Sequence, residues 1–142
     1  MEKGGGVTKI LLVEDSKFLR LATERALARA GYDISSAADG EEALLLARQN
    51  FPDLILLDML LPKMSGPDVL KALKADPVTR SIPVVVMTGM SQKNALRLQK
   101  DGAIGFLEKS SLELDKGSQK LLAALHQILQ NLPGHTAHAT TA

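Results

Sequence analysis

Four short apolar runs each stop at a polar residue, and this repeated ending constrains the chain more than any other feature. Ile10-Leu11-Leu12-Val13 runs into Glu14-Asp15, and Leu54-Ile55-Leu56-Leu57 ends at Asp58. Val84-Val85-Val86-Met87 ends at Thr88, and Ile104-Gly105-Phe106-Leu107-Glu108 ends at Lys109. Apolar runs of this length without polar alternation suit strands buried on both faces. Such strands belong to parallel sheets with helices on either side, and these sheets bind ligands at the carboxyl ends of their strands. The four polar endings are therefore expected along one edge of one sheet.

Segments with helical spacing separate the runs. Strands are expected at about 8–13, 32–37, 53–57, 82–87 and 103–108, and helices at about 17–30, 41–50, 66–75, 91–101 and 116–132. The first helix carries Leu19, Ala22, Ala26 and Ala30 on one face, with Gly31 as its stop. The second carries Ala43, Leu46 and Ala47, and the last carries Leu121, Leu125, Ile128 and Leu132. Pro67 suits the first turn of the third helix. The strand at 32–37 is weak and belongs at an edge. Alternating strands and helices predict an α/β fold: a doubly wound parallel sheet with right-handed crossovers and helices on both faces. One domain is expected over 8–132, with a flexible segment at 1–7 and a disordered tail at 133–142.

Composition narrows the chemistry. No cysteine is present, which removes disulfides and thiolate metal sites. The 17 basic and 16 acidic residues are interspersed, so no basic block points to DNA. No apolar stretch approaches the roughly 18 residues of a membrane span. The opening MEKGGGVTK is too polar for a signal peptide, and a cytoplasmic location is expected. Only three Phe and one Tyr are available, so the core must be aliphatic.

Glu14, Asp15 and Asp58 at adjacent strand ends would repel one another and need a cation. An all-oxygen ligand set completed by water suits Mg²⁺. Beside such an ion, the Asp58 carboxylate could attack a phosphoryl group, because carboxylates form covalent phosphoryl intermediates. Thr88 could hydrogen-bond a phosphate oxygen, and Lys109 could pair with the carboxylates or with the phosphate. Asp15 has a second reading as a helix start before Ser16-Lys17-Phe18. His126 reads as an ordinary helix histidine. His135 and His138 lack further ligands for a metal site. Met59, Met64, Met87 and Met90 read as packing.

The segments ILLVEDS (10–16), LILLDMLLPKMSG (54–66), PVVVMTG (83–89) and GAIGFLEKS (102–110) resemble the receiver domain of response regulators in bacterial two-component signalling. The resemblance runs over about residues 8–132. It implies a flavodoxin-like five-stranded sheet of order 2-1-3-4-5. It implies that Asp58 is the phosphoacceptor and that Mg²⁺ is held by Asp15 directly, Glu14 through water, Asp58, and the backbone carbonyl of Leu60. Thr88 and Lys109 would bind the phosphoryl group, and Phe106 would be the aromatic switch that turns inward as Thr88 moves. The implied activity is that of a signalling switch, which catalyses only its own Mg²⁺-dependent phosphorylation and dephosphorylation. The implied donor is a sensor histidine kinase or phosphotransfer protein. Output would be contact with a downstream protein through about residues 90–132, from a monomer or weak dimer without DNA or membrane.

Two departures from the family pattern matter. Ser110 follows Lys109 where most members have proline, so that peptide is expected trans. Phe106 lacks the hydroxyl of the more common tyrosine. Leu60 and Met90 occupy the positions that flank a hydrolytic water in the family, and their apolar bulk predicts slow dephosphorylation. Competing readings fare worse. A flavin or nucleotide binder of this fold needs a Gly-rich or Ser/Thr-rich loop where Glu14-Asp15 stands. An aspartyl phosphatase needs a second acid where Leu60 stands. A degenerate receiver acting as a constitutive binding module is the remaining alternative, and the presence of all five functional positions weighs against it.

Overall fold

A computed structural model of the chain describes residues 7–88, 95–108 and 117–132. Strands and helices alternate along the described residues. They are β1 (Lys9–Val13), α1 (Lys17–Arg29), β2 (Asp33–Ala37), α2 (Gly40–Asn50), β3 (Leu54–Asp58), α3 (Gly66–Ala75), β4 (Val84–Thr88), α4 (Ala95–Lys100), β5 (Gly105–Glu108) and α5 (Gly117–Gln130). All strand pairings are parallel, and the sheet order is β2-β1-β3-β4-β5. The weak strand of the sequence, β2, lies at an edge, as expected.

Side chains alternate across each strand, so one sheet feeds two cores. On one face, Leu11, Val13, Ile55, Leu57, Val84 and Val86 pack with Ala43 and Ala47 of α2 and Val69, Leu70 and Leu73 of α3. On the other, Ile10, Leu12, Leu54, Leu56, Val85 and Met87 pack with Leu27 of α1 and Leu121, Leu125 and Leu129 of α5. Every residue of β3 is buried, which is why that run shows no polar alternation. Burying one such Leu or Val contributes about 1.5–3 kcal/mol.

The helix ends carry their own instructions. Ser16 caps α1 by accepting from the Leu19 N–H at 3.3 Å. Asp39 caps α2 by accepting from Glu42 N–H at 2.9 Å, and the Glu42 carboxylate accepts from Ala38 N–H, one residue before the cap, at 2.8 Å. Ser65 caps α3, with Pro67 in its first turn as expected. At the other end of α3, the buried Thr79 hydroxyl donates to the Leu73 carbonyl at 2.7 Å, which helix geometry leaves without an intrahelical partner.

Three expectations need correction. In α1, Ala30 is exposed and forms the C-cap, and the buried residue is Leu27. The packed side of α1 includes the polar residues Arg20, Thr23 and Glu24, all half-buried. Glu24 accepts a hydrogen bond from the Ser36 hydroxyl of β2, so a polar anchor stands where an apolar stripe would be sought. In α5, Leu129 is buried and Leu132 only partly so. Strands β4 and β5 start two residues later than expected. Before β4, Pro83 has no N–H to give, and its carbonyl accepts from Ile55 N–H at 2.9 Å. The start of the expected 91–101 helix, the tail at 133–142, and most of the 1–7 segment lie outside the described residues.

Candidate metal and phosphoacceptor site

Sheet register brings the first two acids together. Val13 of β1 pairs with Leu57 of β3, so the residues that follow them, Glu14 and Asp58, leave adjacent strands at the same level. On the other side Asp58 pairs with Met87, and Thr88 follows as the last residue of β4. The ladders continue past the acids, with Glu14 N–H bonded to Ala37 O and Met59 N–H to Met87 O, both at 3.0 Å. A one-residue slip of β1 would turn its side chains to the opposite face and destroy this alignment.

The outcome is an acidic cluster at the carboxyl edge of the sheet. One carboxylate oxygen from each of Glu14, Asp15 and Asp58 lies within 4.8 Å of the other two. Glu14 and Asp58 are only 3% and 1% exposed, whereas Asp15 is exposed. Ser16, and not Asp15, caps α1, so the second reading of Asp15 as the helix start does not hold. Asp58 Oδ1 accepts from Leu60 N–H at 3.1 Å, and Glu14 Oε2 accepts from Ser16 N–H at 3.2 Å. Both bonds fix carboxylate orientation from the backbone of the loop that follows.

The donor set fits a hard divalent cation. Oxygens around Mg²⁺ at about 2.1 Å stand about 3 Å apart when adjacent and about 4.2 Å when opposite. A spread of 4.8 Å needs only slight closure to reach that shell. Leu60, whose carbonyl was expected to join the set, has a side chain 63% exposed beside Asp58.

The loop between β3 and α3 is held on both sides. Gly66 N–H donates to Met59 O at 3.1 Å. A Cβ at Gly66 would stand 2.4 Å from Met59 Cα and 2.7 Å from Asp58 O, so only glycine lets α3 start this close to the Asp58 backbone. Lys63, at a left-handed φ of 66°, reaches Asp39 at 3.9 Å. That exposed pair adds little energy.

Met59 and Met87 are buried and Met64 packs against the core, in line with the packing reading. Phe106 is partly buried against the core shared with α2 and α3. Thr88 is described in its backbone, and Lys109, Ser110, Met90, His135 and His138 lie outside the described residues, as does the Lys109–Ser110 peptide. His126 is exposed on α5. Sequence reasoning missed Arg20, whose guanidinium bonds the backbone that carries Glu14 and Asp15. Its place, five residues after Asp15 and one turn into a helix, is one that any solvated helix arginine could hold, so the sequence carries no distinguishing signal.

Comparison with known proteins agrees with this geometry. Residues 10–131 match the family model described as the response regulator receiver domain. The chain is 41% identical to the response regulator PleD of Caulobacter vibrioides over 71% of its own length and 22% of PleD's. It thus spans about a fifth of that relative. It is 36% identical to the polar-differentiation response regulator DivK of Brucella ovis, covering 70% of this chain and 82% of DivK. Among solved structures, the phosphorylated cyanobacterial phytochrome response regulator RcpA superposes with a TM-score of 0.77 at 31% identity, covering 89% of this chain and 97% of the other. The chemotaxis response regulator CheY4 of Vibrio cholerae gives 0.76 at 30% identity, covering 87% and 99%. The chain belongs to the response-regulator receiver family, a class of signalling switches in two-component systems. Its sheet order and flanking helices are those of the flavodoxin-like fold that the resemblance implied. Among the described residues, no helix is long and apolar enough to cross a membrane.

Proposed function

We propose that this receiver is switched by phosphorylation of Asp58, with Glu14, Asp15, Asp58 and the Leu60 carbonyl holding Mg²⁺. The observation that carries the reading is the trio of carboxylate oxygens within 4.8 Å, two of them on buried residues, at the end of the central strand. Buried carboxylates this close are costly without a cation. Bound among them, Mg²⁺ would offset the charge of the acids and of the incoming phosphoryl group.

The donor is a phosphohistidine of a sensor histidine kinase or phosphotransfer protein. An Asp58 carboxylate oxygen forms the new bond to phosphorus, and the phosphorus–nitrogen bond of the donor breaks with its electron pair going to the imidazole. The Leu60 N–H holds the Asp58 carboxylate in one orientation for that attack. Thr88 and Lys109 bind the phosphoryl oxygens, and Phe106 follows the movement of Thr88. The same site later hydrolyses the acyl phosphate, so the protein catalyses its own loading and unloading and no other reaction. Output is contact with a downstream protein through about residues 90–132, where Ile104 offers an exposed apolar side chain. A cytoplasmic location fits a histidine-kinase donor.

Acetyl phosphate with Mg²⁺ should add one phosphoryl group to the wild type, read by intact mass, and none to Asp58→Asn. Equal labelling of the variant would refute the assignment. A wild type that takes no phosphate and no Mg²⁺ yet still binds a partner would favour the constitutive binding module.

A further inference from the structure

Arg20 stands one turn into α1 and points back at the acidic loop. Its Nη1 donates to the Glu14 carbonyl at 3.0 Å and reaches the Asp15 carbonyl at 3.4 Å. These are the backbone carbonyls of the two acids that precede the helix cap. The other groups of this short connection are also fixed. Glu14 N–H is bonded to Ala37 O, Ser16 N–H to the Glu14 carboxylate, and Arg20 N–H to Ser16 O at 2.8 Å. Arg20 supplies the side-chain bonds that fasten the two carbonyls to the rigid helix.

We infer that Arg20 is a positioning residue for the cation site: its guanidinium clamps the Glu14 and Asp15 carbonyls and thereby aims both carboxylates at Asp58. The inference rests on the reading of these acids as the Mg²⁺ site. Arginine suits the task because one planar group presents several donors in fixed directions, and its charge strengthens each bond. Arg20 is itself half-buried on α1. Without the clamp, exposed Asp15 swings on a loop whose carbonyls turn to water. Groups that orient metal ligands in this way typically matter about 10–100-fold for metal affinity.

The sign of the effect separates this role from a bare electrostatic one. A cation beside a cation site repels the metal, so on charge alone its removal should tighten Mg²⁺ binding. The clamp predicts the opposite. A general contribution to folding would lower the melting temperature without Mg²⁺ and leave the affinity of the folded protein alone.

Amide NMR titrations with MgCl₂ on wild type, Arg20→Met and Arg20→Lys test the point, with apo melting temperatures measured alongside. Both replacements keep a long stem and are good helix formers, and lysine keeps the charge. We expect Arg20→Met to bind Mg²⁺ about 10-fold more weakly. Arg20→Lys should recover only part of the loss, because a point-like ammonium cannot reproduce the fork. The Mg²⁺-induced rise in melting temperature should shrink in the same order. Unchanged or tighter binding by Arg20→Met, or full wild-type affinity in Arg20→Lys, would overturn the clamp. Should Arg20→Met not fold, the lysine variant decides: full wild-type affinity overturns the inference and partial loss supports it. A wild type that binds no Mg²⁺ would instead overturn the site reading, and this inference with it.

Discussion

Burial differs sharply between the two acids that follow β1. Glu14 is enclosed and bonded to Ser16 N–H, whereas Asp15 is exposed on a shorter side chain. Direct coordination suits the short, exposed acid, and the enclosed one can act through water. Asp15→Asn is therefore expected to weaken Mg²⁺ binding more than Glu14→Gln, measured by titration. The reverse order would exchange their roles. Leu60 is expected to bear on a different property. Its side chain is 63% exposed beside Asp58 and cannot orient a water. Leu60→Asn should shorten the phosphorylated lifetime, by up to about 10²-fold if the amide positions the hydrolytic water. The decay rate after donor removal checks this, and an unchanged rate would show that shielding by Leu60 does not set the lifetime. At this scale the sequence was informative where chemistry coincided with a change of pattern. Glu14, Asp15 and Asp58 each follow an apolar run, so their edge location could be read directly. Arg20 could not be found that way, because a helix arginine with no neighbouring anomaly looks like any solvated one.

Helices and their ends were legible from caps, and less so from stripes. Ser65-Gly66-Pro67 announced α3, but the crowding at Gly66 belongs to tertiary structure. Gly66→Ala forces backbone apart at Met59 and Asp58. It should cost about 1–3 kcal/mol in denaturant unfolding, as overpacking does. It should also weaken Mg²⁺ binding, because the displaced atoms include the carbonyl of Asp58, a member of the acidic cluster. Thr79→Val keeps the volume but removes the buried bond to Leu73 O, and about 1–2 kcal/mol should be lost. An unfolding midpoint unchanged from wild type would mean that another donor reaches that carbonyl. The apolar face of α1 was misjudged for a physical reason. Its packed side is shared between Leu27 and polar residues whose hydrogen bonds run to β2 and to the acidic loop. A hydrophobic pattern cannot register a face that is partly held by hydrogen bonds.

For the molecule as a whole, order and topology were legible because, among the described residues, five strands alternate with five helices. The register that aligns Glu14 with Asp58 was not, since it depends on pairing between distant segments. Alkaline stability is a property of the same whole. Burial raises the pKa of Tyr32 above 10.0 and lowers that of Lys74 below 10.5. Above pH 10.0 the unfolded tyrosine ionises first, so its contribution to stability falls as pH climbs through the folded value. Lys74 acts in the opposite sense: the folded state releases its proton first, and stability rises with pH toward 10.5. Tyr32 is the single tyrosine and there is no tryptophan, so tyrosinate absorbance isolates it. Its native midpoint should exceed that measured in denaturant, and coincident midpoints would contradict the burial.

The all-parallel sheet also bears on when the acidic site can be completed. Leu54 of β3 pairs with Ile10, and Ile55 pairs with Val84, so the central strand has no neighbour close to it in the chain. Parallel pairing of this kind forms late and slowly. A growing polypeptide that has emerged from the ribosome only as far as α3 holds all three acids, yet β3 still presents an open edge and Thr88 has not appeared. If Asp58 takes the phosphoryl group as proposed, competence is expected only after β4 has joined the sheet, and a chain ending at α3 is expected to take no phosphate from acetyl phosphate.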